Sequence, residues 1–296
     1  MIRQMHPAAR SVRYDCLAVI AACTSAPGPD PSTVATRAPA DAVVTQIDHV
    51  MIATNERDRL EALLSDTLGL PLAFPAPGTS RNANTFVGLA LGDVILELVP
   101  RSRMTRTELN DFAFQPIDLE TAPARLSERA LVPRDSYVQK NDAGEKRWTI
   151  IGFRHPFEGI AFFIIQYHAL DMDERRARLD RLLRASGGGP LGLRRVREFR
   201  LSYPVEQLSA ARHSWHRLLS SPGSKPSNFY RASAGPGIRL VEGSGPESSA
   251  LIVEVVSLSK AAAAARSLGL LLSASRESVA LDPQRFGGLR LVLVAR

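Results

Sequence analysis

The apolar positions of this chain change period in a repeating order. In IDHVMIATNERDRLEALL, residues 47–64, alternation comes first and puts Ile47, His49 and Met51 on one face of a strand; Leu60, Leu63 and Leu64 then recur at helical spacing. The segment predicts a strand, a turn and a helix over 57–68. LPLAF follows, then a turn at PAPGTS, the run ANTFVGLAL, a Gly92-Asp93 turn and VILELVP. Two strands joined by Gly-Asp read as a hairpin. Residues 46–100 therefore form one unit of strand, helix and three strands.

The order is replayed three times. DFAFQ, DLETAPARLSERAL, SYVQKN, KRWTIIGF and IAFFIIQYH make a second unit over 111–168. VREFRLSYP, VEQLSAARHSWHRLLSS, SNFYRAS and GIRLVEG make a third, and ALIVEVV, LSKAAAAARSLGL, LLSASRESVAL and LRLVLVAR a fourth. A lone unit cannot bury both its helix stripe and its sheet face, so units are expected to pair. The predicted fold is α+β, with four βαβββ-type units paired into two domains, 45–170 and 191–296. Each pair is expected to curve an eight-stranded mixed sheet around a cavity, where small molecules bind. Residues 171–190 read as a solvated helix and Gly-rich linker, and 1–44 as a leader.

Composition narrows the chemistry. The chain has 296 residues, 45% hydrophobic and 23% charged, the balance of a globular protein. Its net charge of +7 is spread along the sequence, and the densest basic run, DERRARLDRLLRASGGGPLGLRRVREFR, interleaves acids and lacks the aromatics that stack on single strands. Nucleic acid is not expected as a partner. Both cysteines, Cys16 and Cys23, lie in the leader, which removes disulfide, zinc-knuckle and thiol chemistry from the body. Arg3, Arg10 and Arg13 precede CLAVIAAC, which resembles a lipoprotein signal with Cys23 as the lipidated residue; the alternative, adopted here, is an unstructured leader on a cytoplasmic protein.

The stretches IDHVMIATNERDRLEALL, GTSRNANTFVGLALGDVILELVP and GIAFFIIQY resemble the vicinal oxygen chelate superfamily, and more narrowly its bacterial glyoxalase-like domain proteins. The likeness covers 47–168 and reaches the rest through the repeat. It implies a divalent metal held by a His on the first strand of a unit and a Glu on the last. His49 and Glu97 match those positions, and sliding the second unit against the first puts Asp111 opposite His49 and Gln166 opposite Glu97. His49, Glu97, Asp111 and Gln166 would form an oxygen-rich site for Mn, Fe or Mg in preference to tight zinc, with Ni and Zn to be tested beside them. Blander readings stand beside these. His49 is a satisfied core histidine, Asp111 a strand-start residue, and Glu97 and Gln166 face solvent on alternating strands. In the C-terminal half the matching positions, Glu198, Leu240, Ile252 and Val292, cannot hold an ion, so that half is expected to be structural, to wall a cavity or to pair a homodimer.

Arg81, Asn82 and Asn84, after the glycine turn, are candidates for binding an oxygenated substrate, although turns also favour Asn. Arg154, His155 and Glu158 sit in a loop between strands. His168 shares the strand face of Gln166 and is the spare ligand or base. His213 and His216 flank Trp215 on a helix. Two functions follow. One is a metal-assisted enzyme of lyase, isomerase or dioxygenase type on a small oxygenated compound; the other is a non-catalytic sequestering protein of the bleomycin-resistance type.

Overall fold

The computed structural model describes residues 41–74, 86–153, 160–221 and 223–296. The first unit runs β1 (Val44–Thr54), α1 (Arg57–Ala62) continued by a π-helical turn at Leu63–Thr67, β2 (Leu72–Phe74), β3 (Val87–Leu91) and β4 (Val94–Pro100). The second runs β5 (Glu108–Pro116), α2 (Ala122–Glu128), β6 (Tyr137–Lys140), β7 (Lys146–Ile151) and β8 (Ala161–Tyr167). Helix α3 (Met172–Ala185) leads to the third unit, β9 (Leu193–Tyr203), α4 (Val205–Leu219), β10 (Phe229–Arg231) and β11 (Gly237–Glu242). The fourth is β12 (Ala250–Val255), α5 (Leu258–Ser267), β13 (Leu271–Ala274), β14 (Ser278–Leu281) and β15 (Arg290–Ala295).

Units pair as the hydrophobic pattern requires. The first sheet has the order β2-β3-β4-β1-β5-β8-β7-β6, with first strands β1 and β5 antiparallel at its centre and closing strands β4 and β8 parallel beside them. The second sheet repeats this as β10-β11-β9-β12-β15-β14-β13. It has seven strands, not the expected eight, because the third unit places only two strands after its helix. Among the described residues no helix is long and apolar enough to cross a membrane.

A bulge in β1 decides which side chains face which way. Ile47 pairs with Phe114 and His49 with Ala113, leaving Asp48 as the extra residue. Simple alternation had put Ile47 and His49 on one face. Instead Ile47 joins Val50 and Ile52 in the apolar core, while Asp48 and His49 both turn to the concave side. Leu60, Leu64 and Leu68 of the first helix cover the core side.

The helix-side faces of the two sheets share one apolar cluster. Trp215 on α4, fully buried, meets Phe112, Phe114 and Phe162 of the first sheet at ring distances of 5.8, 6.2 and 6.1 Å, and Phe112 meets Phe199 of β9 at 4.9 Å. Gly92 in the predicted hairpin turn has φ 70°, and a Cβ there would lie 2.8 Å from Arg195 Cα. Only glycine meets both conditions.

Helix α3 is not the solvated element that its charge suggested. Asp171 caps it, accepting from the amides of Asp173 and Glu174 at 2.9 and 3.0 Å. Met172, Leu179 and Leu183 form a buried stripe, and Leu179 packs on Ala90 and Ile95 of the first sheet's concave face. Thus α3 roofs that face.

Trp215→Ala should cost about 3–5 kcal/mol of unfolding free energy, read from urea denaturation, because it opens the junction between both sheets. Trp215→Phe should cost less, losing mainly the indole bond to Tyr203 Oη at 3.1 Å.

Candidate functional site

The concave face of the first sheet gathers a buried polar cluster. His49 projects there from β1, and Glu97, beside Met51 in the β1–β4 register, projects from β4. Leu96 and Leu98 face the core, so the Leu-Glu-Leu run sends its single acid to the concavity. His49 Nε2 stands 3.0 Å from Glu97 Oε2, and His49 Nδ1 donates to Asp48 Oδ2 at 2.7 Å. His49 and Glu97 are 6% and 10% exposed at the side chain. The histidine is neither apolar filling nor a surface group.

Three residues outside the sequence reading complete the cluster. Tyr167 Oη donates to Asp48 Oδ2 at 3.3 Å, Arg175 on α3 places Nη1 3.6 Å from Asp48 Oδ1, and the guanidinium lies 5.1 Å over the Tyr167 ring. The Phe163 and His49 rings meet edge-on with centroids 5.6 Å apart. Arg175 carried a signal, since it falls on the buried side of the Met172–Leu179 stripe, but its own type argued for solvent.

The charges are strongly coupled. Burial alone would push His49 down, but Glu97 in front and Asp48 behind raise it from 6.5 to about 9, so it is an imidazolium at neutral pH. Burial would likewise raise Asp48, and Arg175, His49 and Tyr167 outweigh it, holding the carboxyl below its ordinary value. Tyr167 is raised by burial and by Asp48.

Sheet register assigns the other candidates. His49 pairs with Ala113 and Met51 with Asp111, so the local two-fold axis of the sheet relates His49 to Asp111. Asn110, a bulge residue like Asp48, donates from Nδ2 to Asp111 Oδ2, repeating the Asp48–His49 contact. Burial raises the Asp111 pKa against the Asn110 bond, with His49 and Glu97 within electrostatic reach. The counterpart of Glu97 is Phe163, which lies beside Ala113 in β8. Gln166 is not brought to the cluster. It lies one residue out of phase, opposite Thr149 on β7, and donates to the Tyr167 carbonyl at 2.9 Å. His168 follows it in phase and meets Thr149 Oγ1 at 2.8 Å, away from His49.

In the second sheet the same symmetry replaces Leu240 by Arg239 and Ile252 by Ala250, while Glu198 and Val292 keep their places. His213 bonds the Ser209 carbonyl of its own helix at 2.8 Å, and α4 packs on the far side of the sheet from His49. Arg81, Asn82, Asn84, Arg154, His155, Glu158, Cys16 and Cys23 lie outside the described residues.

The donor set suits a divalent ion in part. Nε2 and Oε2 are separated by 3.0 Å, the spacing of adjacent donors around an ion bound at roughly 2.1 Å. Asp48 behind Nδ1 is the carboxylate that fixes a metal-ligating imidazole. Among the described residues no three His, Cys, Asp or Glu side chains stand close enough to hold an ion.

Neither a family model nor a curated protein sequence matches the chain. Solved structures do. Homoprotocatechuate 2,3-dioxygenase from Arthrobacter globiformis aligns at TM-score 0.57 and 13% identity, over 89% of this chain and 84% of that one. The same enzyme from Brevibacterium fuscum, complexed with 3,4-dihydroxyphenylacetate, aligns at 0.53 and 12%, over 88% and 84%. An extradiol ring-cleaving dioxygenase from that organism aligns at 0.54 and 13%, over 88% and 75%. The chain shares the fold of these enzymes. At these identities the likeness is one of fold.

Two outcomes follow from the cluster. A raised His49 pKa adds stability that is complete below pH about 6.5 and is lost as pH climbs through about 9. In metal-free protein the urea midpoint should fall by an amount worth a few kcal/mol across that window, and His49→Gln should flatten the fall. Arg175→Ala leaves the buried Asp48 carboxylate to His49 and Tyr167 alone and should cost about 1–3 kcal/mol, with Asp48→Asn in the same chain recovering part of it.

Proposed function

We propose that the chain is a divalent-metal-dependent enzyme of the vicinal oxygen chelate type acting on a small oxygenated compound, with His49 and Glu97 as ligands and Asp111 as third donor or proton acceptor. The contact of His49 Nε2 with Glu97 Oε2 on the roofed concave face, backed by Asp48, carries this reading. A bound ion would supply Lewis-acid polarisation of substrate oxygens.

The protein's own groups have separable tasks. Asp48 holds Nδ1 protonated and leaves Nε2 to face Glu97. Tyr167 and Arg175 keep Asp48 ionised in the interior. Asp111, whose pKa burial raises, is suited to take up a proton from a bound substrate. Helix α3 covers Asp48 and Tyr167 through Arg175.

The fold likeness to ring-cleaving dioxygenases supports the dioxygenase outcome among the three considered. One imidazole with two carboxylates departs from the two-His, one-carboxylate set usual for non-haem iron oxygenases, and this supports lyase or isomerase chemistry. The second reading, a sequestering protein without catalysis, is supported by Phe163 at the place of a second glutamate. The division into domains 45–170 and 191–296 joined by 171–190, a glyoxalase-like identity and a cytoplasmic location belong to the same proposal.

Elemental analysis of the purified chain, with thermal shifts in Mn²⁺, Fe²⁺, Ni²⁺, Zn²⁺ and Mg²⁺, tests it. About one ion per chain should bind and raise the melting temperature, since the ion binds only the native state. His49→Ala and Glu97→Ala should abolish both effects while keeping the near-ultraviolet dichroism; Gln166→Ala should change neither. Failure of every ion to bind, or binding that survives both substitutions, rejects the enzyme reading in favour of sequestration.

A further inference from the structure

The second sheet carries the symmetry-related site with its charges exchanged. Glu198 takes the place of His49 and Arg239 that of Glu97, and they bond directly: Arg239 Nε donates to both Glu198 oxygens at 3.0 Å. Arg200, beside Arg239 across the β9–β11 register, donates from Nη2 to Glu198 Oε1 at 3.1 Å. One carboxylate thus serves two guanidiniums, and like charges on neighbouring strands destabilise a sheet unless something else neutralises them. Glu198 engages Arg239 through Nε and Arg200 through one Nη. The Arg200 Nε is buried without a partner among the described residues.

The surroundings are shaped for a ligand body. Behind the two arginines Ala250 and Ile252 form a buried apolar floor. The Phe229 ring walls one side with Arg239 stacked on it at 4.8 Å. The ring can lie there because Gly237 has no side chain, for a Cβ would stand 2.4 Å from it. Arg200 and Arg239 are 43% exposed at the side chain, whereas their counterparts in the first sheet lie under α3.

We propose that the concave face of the second sheet binds the oxyanion, carboxylate or phosphate, of a small molecule with an apolar body, through the guanidiniums of Arg200 and Arg239. A planar fork on each arginine matches an oxyanion in two-point geometry, and Phe229 with the floor receives the apolar part. Nothing in it depends on the metal reading of the first sheet.

Benzoate, phenyl phosphate and benzyl alcohol, titrated into the full chain and followed by calorimetry and saturation-transfer NMR, form the test. Benzoate, phenyl phosphate or both should bind saturably and more weakly at higher salt, and benzyl alcohol should not bind. Which oxyanion binds more tightly separates the two sources. Arg200→Gln and Arg239→Gln should each raise Kd at least tenfold, with His49→Gln leaving it unchanged. Arg239→Lys keeps the charge and gives up the fork, so an intermediate loss keeps the test readable should Arg239→Gln misfold. Absence of saturable binding for both oxyanions, binding indifferent to the arginine substitutions, or binding lost in His49→Gln would each overturn the proposal, the last placing the anion in the first sheet.

Discussion

The imidazolium of His49, buried between Asp48 and Glu97, is the constraint around which the first half of the molecule is organised. A charge taken out of water needs partners with good geometry, or it neutralises. Two carboxylates meet that need and create another, because they are buried themselves. Arg175 answers it from α3, and Tyr167 from β8. The arginine cannot reach Asp48 unless the helix crosses the concave face, and the apolar stripe of Met172, Leu179 and Leu183 gives the helix its reason to lie there. Polar site and roof are therefore one arrangement.

The β-bulge is the device that makes this affordable in a two-residue space. Without Asp48 as an extra residue, alternation would bury it among Val50 and Ile52 and leave His49 with no acceptor for Nδ1. The same irregularity recurs at Asn110 before Asp111 and at Arg197 before Glu198. Three of the four first strands, β1, β5 and β9, thus carry an extra residue just before the position at the centre of the sheet. What differs is the chemistry installed: His and Glu in one sheet, Glu and Arg in the other.

Much of the architecture was legible because it rests on local periodicity. The unit order, the Gly92-Asp93 hairpin and the pairing of units follow from alternation and helical spacing, whereas the placement of His49 and Glu97 rested on the family resemblance, because alternation alone put His49 on the face of Ile47. Register did not follow. Gln166 looked like the partner of Glu97 because sliding two sequences does not fix strand register: the counterpart is Phe163, three residues earlier, and an odd slip sends a strand side chain to the opposite face. Leu240 and Ile252 were misplaced for the same reason, hiding the Glu198–Arg239 pair. Arg175 was illegible for another: its burial is a tertiary fact, set by a carboxylate over a hundred residues away in sequence.

Charge balance ties the roofed site to its chemistry. Asp48 and Glu97 contribute two negative charges, and His49 and Arg175 two positive ones, so the cluster is balanced while Nε2 keeps its proton. A divalent ion held by Nε2 would have to take the place of that proton, so its affinity would depend on pH through His49. Asp111, whose place mirrors that of His49 across the sheet axis, has its pKa raised by burial. Neither Asp48 nor Arg175 has to change state.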